Sequence, residues 1–174
     1  INADGSVGFI ADEIFHKGIG SVAERNFRPH ISWSAFTPDE ELLCVCDPGI
    51  DQIKLYEFNH VTGKLKLYDI IRSQQESAPR QIEFSRDGKY ILTAINAEHK
   101  VDVISTANWK LVNSIPVGRN PHIVLPMPDG KTAWVTSEGD NKIVKIHLDS
   151  MKVISEIPVF GFPRVMTATP DGKF

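Results

Sequence analysis

Four prolines along the chain are each followed at once by a cationic or ionisable side chain: Pro29 by His30, Pro79 by Arg80, Pro121 by His122 and Pro163 by Arg164. A guanidinium offers paired hydrogen bonds to a carboxylate or phosphate, and an imidazole can donate to an oxyanion or move a proton near neutral pH. Brought together by a fold, His30, Arg80, His122 and Arg164 would bind a small anionic ligand. The competing reading is architectural: a position repeated this regularly also suits a side chain that packs on the proline and bonds backbone carbonyls where repeated units meet.

The elements that must position these residues follow from the repeat. The stretch "IPVGRNPHIVLPMPDGKT" (115–132) aligns without a gap on "IPVFGFPRVMTATPDGKF" (157–174), at an offset of 42 residues. Looser copies lie upstream, with Asp87 42 residues before Asp129 and Asp39 a further 48 before Asp87. A period of 40 to 50 residues signals a repeat architecture. After Pro121 come "HIVLPM", "TAWVTS", "KIVKIHL" and "KVISEIPV", separated by turn signals at Pro128-Asp129-Gly130, Glu138 to Asn141 and Asp149-Ser150. The third segment alternates, with Val144, Ile146 and Leu148 on one face and Lys145 and His147 on the other. Short β-prone runs joined by tight turns, four to a repeat, define a propeller blade.

The same parse predicts an all-β chain of β-propeller blades, each of four antiparallel strands. Three complete blades fall at about 30–71, 80–117 and 121–159, with an extra outer strand near 7–16 and an extra inner strand near 163–169. Only "SVAERNF" (21–27) carries a weak helical pattern. Closed propellers use about four to eight blades, so the ring is expected to be completed by a longer chain or by other copies recruited through exposed edge strands. In a blade the first strand lies nearest the axis, which would set the four post-proline side chains around one mouth of the channel. The Pro-Asp-Gly-Lys segments read as turns without chemistry, as do Asp51, Asp140 and Asn141 in the following hairpins, and Trp33, Trp109 and Trp134 read as blade packing.

The remaining features narrow the function classes. The chain has 174 residues, a formal charge of −3 and 24% charged residues, a mixed and slightly acidic balance that favours no nucleic-acid partner. No apolar run reaches the roughly 18 residues of a membrane span, and the first residues lack the pattern of a secretory signal, so no membrane partner is expected. The chain starts at Ile1 and is read as a processed or excised piece. Cys44 and Cys46, two apart on a strand, face the same side too far apart for a disulfide, which predicts two free thiols acting as small core hydrophobes and favours a reducing, cytoplasmic setting. There is no Gly-rich phosphate loop, nucleophile elbow, paired-histidine metal helix or zinc spacing, so no cofactor and no metal are expected.

Two resemblances carry function. Residues 1 to about 105, through "HKGIGSVAERNFRPHISWSAFTPDEELLCVCDPGIDQIKLYEFNHVTGKLKL" and "SAPRQIEFSRDGKYILTAIN", resemble the seven-bladed lactonase family that includes 6-phosphogluconolactonase and carboxymuconate cyclase. Residues from about 100 to 174 are similar to the YVTN propeller repeats of surface-layer and periplasmic proteins. The change near residue 105 also fits a chain recombined from two propeller sources. The lactonase resemblance implies a site with a His from the Pro-His segment, an Arg from the next blade and a Glu after the following strand. His30 and Arg80 match the first two; Ser32 and Gln81 stand where the family has further histidines, and Asn96 stands at the Glu position, with Glu98 displaced by two. It implies that Arg80 binds a substrate carboxylate or phosphate and that His30 is a general acid or base on a lactone. With those departures, the first expectation is a non-enzymatic binding or structural scaffold that completes its ring by self-association or within a longer chain. The alternative is a lactonase-like hydrolase or cyclase acting on an anionic sugar or muconate lactone.

Overall fold

The computed structural model describes residues 6, 8–18, 28–73 and 77–173. These residues form three four-stranded antiparallel sheets, and each sheet is one meander in chain order. The first contains β1 (Trp33–Phe36), β2 (Leu42–Asp47), β3 (Gln52–Phe58) and β4 (Leu65–Arg72). The second contains β5 (Pro79–Phe84), β6 (Tyr90–Ile95), β7 (Lys100–Ser105) and β8 (Leu111–Pro116). The third contains β9 (Pro121–Pro126), β10 (Thr132–Ser137), β11 (Lys142–His147) and β12 (Lys152–Pro158). The fold is therefore all-β, three propeller blades in sequence.

Two repeated turn devices shape each blade. Between the first two strands, Asp39, Asp87 and Asp129 bond both a neighbouring hydroxyl and a backbone N–H of the turn. The Ser85 hydroxyl, then Lys89, hold the Asp87 carboxyl down to about 2. Between the second and third strands, Asp51, His99 and Asn141 occupy the same place with positive φ of 53°, 61° and 50°, a conformation that Asn, Asp and His tolerate better than most residues.

Packing explains why β6, "YILTAI", reads as a nearly continuous apolar run and not as alternation. A blade between two others buries both faces, so consecutive residues serve different cores. Ile91 and Ile104 join Cys44, Cys46, Ile53, Leu55 and Ile82 in the core between the first two blades. Leu92, Val101 and Val103 turn the other way, onto Val124, Val135, Val144 and Ile146 of the third blade. Cys44 and Cys46 are both free and fully buried, and burial pushes the Cys44 thiol up to about 12, so neither is a ready nucleophile. Trp109 packs against the first of these cores, Trp134 lies under the Lys145 ammonium at 5.2 Å, and Trp33 is partly exposed. Replacing fully buried Ile82 with Val should lower unfolding free energy by about 1 kcal/mol, measured as a shifted urea midpoint with an unchanged slope.

The ends differ in detail from the sequence reading. Residues 8–18 and 163–169 form no strand ladder, because among the described residues neither finds a partner strand of its own blade. The leading segment is instead held by side chains: the Asp12 carboxylate accepts the Leu65 backbone N–H at 2.9 Å, at the start of β4. The trailing segment touches the third blade where Arg164 O accepts from the Thr136 hydroxyl at 3.4 Å. Both leave large apolar side chains exposed, Phe9, Ile10 and Phe15 at one end and Phe160, Phe162 and Val165 at the other. The segment 21–27, with its weak helical pattern, lies outside the described residues. No described helix is long and apolar enough to cross a membrane.

Candidate functional site

The innermost strands β1, β5 and β9 neighbour one another across the blade boundaries, which puts their starting residues at one end of the axis. Arg80 and His122 are each the second residue of an inner strand, β5 and β9. Arg164 follows the third blade and reaches back to it: its Nε and Nη2 donate to Glu138 Oε1 at 3.1 and 2.9 Å. Glu138 stands directly after β10, on a single 3₁₀ turn. Three of the four post-proline side chains thus meet around His122, with Glu138 as a fourth member that the sequence reading took for a turn residue.

His122 reports on that company. Burial, then the Arg80 charge, hold its proton affinity below the ordinary value of 6.5, Arg164 adds to this and Glu138 opposes it. Its Nδ1 is buried with no hydrogen-bond partner among the described residues, whereas Nε2 is not buried in this way. A lone pair left unmatched in the interior costs less than an unmatched N–H. The neutral ring therefore carries its proton on Nε2, the nitrogen that faces outward. Charging the ring would put an N–H on Nδ1 with nothing to receive it, which agrees in sign with the lowered affinity. Nitrogen-15 NMR should show the Nε2–H tautomer at pH 7; Glu138→Gln should lower the His122 pKa further and Arg80→Ala should raise it.

His30 is placed differently. It precedes β1, whose ladder starts three residues later than the sequence suggested, and its backbone N–H goes to the Asp47 carboxylate at 2.7 Å. The side chain is exposed and is not among the groups acting on His122.

The three positions that depart from the lactonase pattern serve as joints between blades. The Ser32 hydroxyl donates to Arg80 O at 2.7 Å, tying the first blade to the second. Buried Gln81 accepts the Val124 N–H at 2.9 Å and donates to Glu83, tying the second to the third. The Asn96 amide donates to Pro121 O at 3.1 Å. Glu98 is committed to Lys100, with its Oε2 2.9 Å from Nζ. At the register of Asn96 in the next blade, 42 residues on, stands Glu138. Among the described residues no three His, Cys, Asp or Glu side chains converge as metal ligands would.

Three consecutive four-stranded blades with a cluster of Arg, His and Glu at the inner-strand ends define part of a β-propeller with a polar axial mouth. The chain belongs to the seven-bladed β-propeller lactonase family, whose model matches residues 1–174. The solved structure of a periplasmic gluconolactonase from Pseudomonas aeruginosa is 21% identical, with a TM-score of 0.87, and the match covers 100% of this chain and 53% of that one. A provisionally assigned 6-phosphogluconolactonase of Bacteroides fragilis is 23% identical, with a TM-score of 0.84, covering 99% of this chain and 54% of that one. At these identities the likeness is one of fold. Among curated relatives, an uncharacterised protein of Lactococcus lactis subsp. cremoris is 33% identical over 103 residues, 58% of this chain and 29% of that protein. The chain spans about half the length of these solved structures, and the matched stretch is about a third or less of the curated relatives.

Proposed function

We propose that the propeller to which these blades belong opens, or in reverse closes, a lactone on an anionic sugar-type acid, with the mouth around His122 as its site. Family membership and the likeness to lactonase structures favour this reading over a scaffold without chemistry. The observation that carries it is the grouping of His122, its Nδ1 buried without a partner among the described residues, with the charges of Arg80, Arg164 and Glu138 that act on it. In the proposed step Arg80 binds the substrate carboxylate or phosphate and His122 Nε2–H donates to the oxyanion that forms at the lactone carbonyl. The Glu138 carboxylate accepts a proton from the attacking water. Water oxygen bonds to the carbonyl carbon, the ring C–O bond breaks, and the proton returns to the ring oxygen, leaving the hydroxy acid.

Arg80→Ala is expected to raise KM for a phosphorylated aldonolactone by about tenfold or more, because a charge-assisted pair is lost, while KM for the uncharged lactone changes little. Initial rates of acid release measure both, and equal effects on the two substrates would remove Arg80 from anion binding.

The proposed activity needs a closed channel. Exposed Phe9, Ile10 and Phe15 at one end and Phe160, Phe162 and Val165 at the other favour coverage by further blades, from a longer chain or from other copies of this one. Light scattering coupled to size exclusion separates the two: a discrete oligomer of the 174-residue chain supports self-association, and a monomer assigns the missing blades to a longer chain.

A further inference from the structure

The leading segment carries a buried group that the mouth does not use. His16 Nδ1 lies 2.6 Å from Asp47 Oδ2, and His16 Nε2 lies 2.9 Å from the Tyr56 hydroxyl. The side chains of His16 and Asp47 are 3% and 0% exposed, and Tyr56 is buried in β3. An ionised carboxylate only accepts, so Nδ1 carries the proton shared with Asp47, and Nε2 is left to accept from the phenol. The phenol keeps its proton: burial, then the Asp47 charge, push its pKa up. Every polar atom of this chain of three therefore has a partner without water.

Asp47 does more than hold His16. Its second oxygen, Oδ1, accepts the backbone N–H groups of His30 at 2.7 Å and Gly49 at 3.1 Å. Gly49 leaves no room for a side chain, since a Cβ there would clash with Arg28 O and His30 N. One buried carboxylate thus joins the leading segment, the backbone of His30 and the turn after β2. The corresponding last residues of β6 and β10 are Ile95 and Ser137, so a carboxylate occupies this position in the first blade alone among the three.

We propose that Asp47 is a positioning residue that couples the docking of His16, and with it residues 8–17, to the presentation of His30 at the axial mouth. His30 is offered to an anion in one orientation while the Tyr56–His16–Asp47 chain is closed, and becomes mobile when it opens. The role given to His30 rests on the mouth being an anion site; the coupling between His16 and the His30 backbone does not.

The test uses the whole chain and amide hydrogen exchange by NMR, with His16→Gln and the milder Tyr56→Phe. His16→Gln should speed exchange of the His30 and Gly49 amides by about tenfold or more, and Tyr56→Phe by less, while Val124 and Val135 in the third blade keep their protection. His30 exchange within twofold of the wild type in both variants, or equal acceleration throughout the third blade, would overturn the coupling. A parallel titration with inorganic phosphate follows the two imidazoles. Phosphate shifts of His30 that weaken in His16→Gln support its presentation at the mouth, and shifts at His122 with a silent His30 overturn that part. Silence at both rings would refute the anion site itself, with the exchange result still deciding the coupling.

Discussion

Exchanging His122 for Gln is expected to lower lactone opening by about 10²- to 10³-fold, the range for loss of one positioned oxyanion donor, with KM little changed. Among the described residues no hydrogen bond holds the half-buried ring, so stability at pH 7 should fall far less than activity. The same variant should also change how stability depends on pH. Because the folded His122 binds a proton less readily than its ordinary value of 6.5, its contribution is fully present above that pH. It is lost as pH falls through the folded value, where the unfolded chain has already taken up the proton. His122→Gln should remove this acid-side loss, read from urea midpoints between pH 7 and pH 5. An unchanged rate and an unchanged pH profile would take His122 out of the site.

The second large effect falls on stability. Asp47→Ala removes the acceptor of three donors at once, His16 Nδ1–H, His30 N–H and Gly49 N–H. The carboxylate is fully buried, so water cannot replace it without opening the turn. Breaking a buried, hydrogen-bonded pair from one side costs about 3–5 kcal/mol. Chemical denaturation should show that loss, whereas Lys66→Ala, which breaks an exposed pair with Glu57, should change stability by less than about 1 kcal/mol.

Much of the fold is legible because the repeat and the turn chemistry point the same way. The third-blade alignment at 42 residues and the Asp-containing turns locate eleven of the twelve strands to within a residue or two. The exception is β1, which starts at Trp33 and not near residue 30. Side-chain bonds to Asp47 replace the ladder there, and no local pattern announces them. The additional end strands were legible as strand-like sequence, but a ladder needs a partner, and the described residues provide none.

The site was half legible. The proline-cation repeat marks Arg80 and Arg164, whose charges act on His122, and His30, whose exposed side chain is not among those groups. Glu138 was hidden in "EGDN", where its neighbours carry an obvious turn signal. Placing it on Asn96 through the 42-residue offset would have exposed it as the carboxylate at the family's Glu register. The grouping of Tyr56, His16 and Asp47 had no such signal, since its members lie 40 and 31 residues apart and only the folded backbone brings them together.

The central claim is that this mouth belongs to a lactone-opening site selective for anionic substrates. The most direct measurement is acid release in a pH-stat from glucono-1,5-lactone and its 6-phosphate, with wild type and Arg80→Ala, at protein concentrations where the assembly state is known. The account predicts saturable opening above the spontaneous rate, a higher kcat/KM for the phosphorylated lactone, and loss of that preference in Arg80→Ala. Opening of both lactones at the spontaneous rate by the assembled protein would contradict it and return these blades to a role in binding or scaffolding.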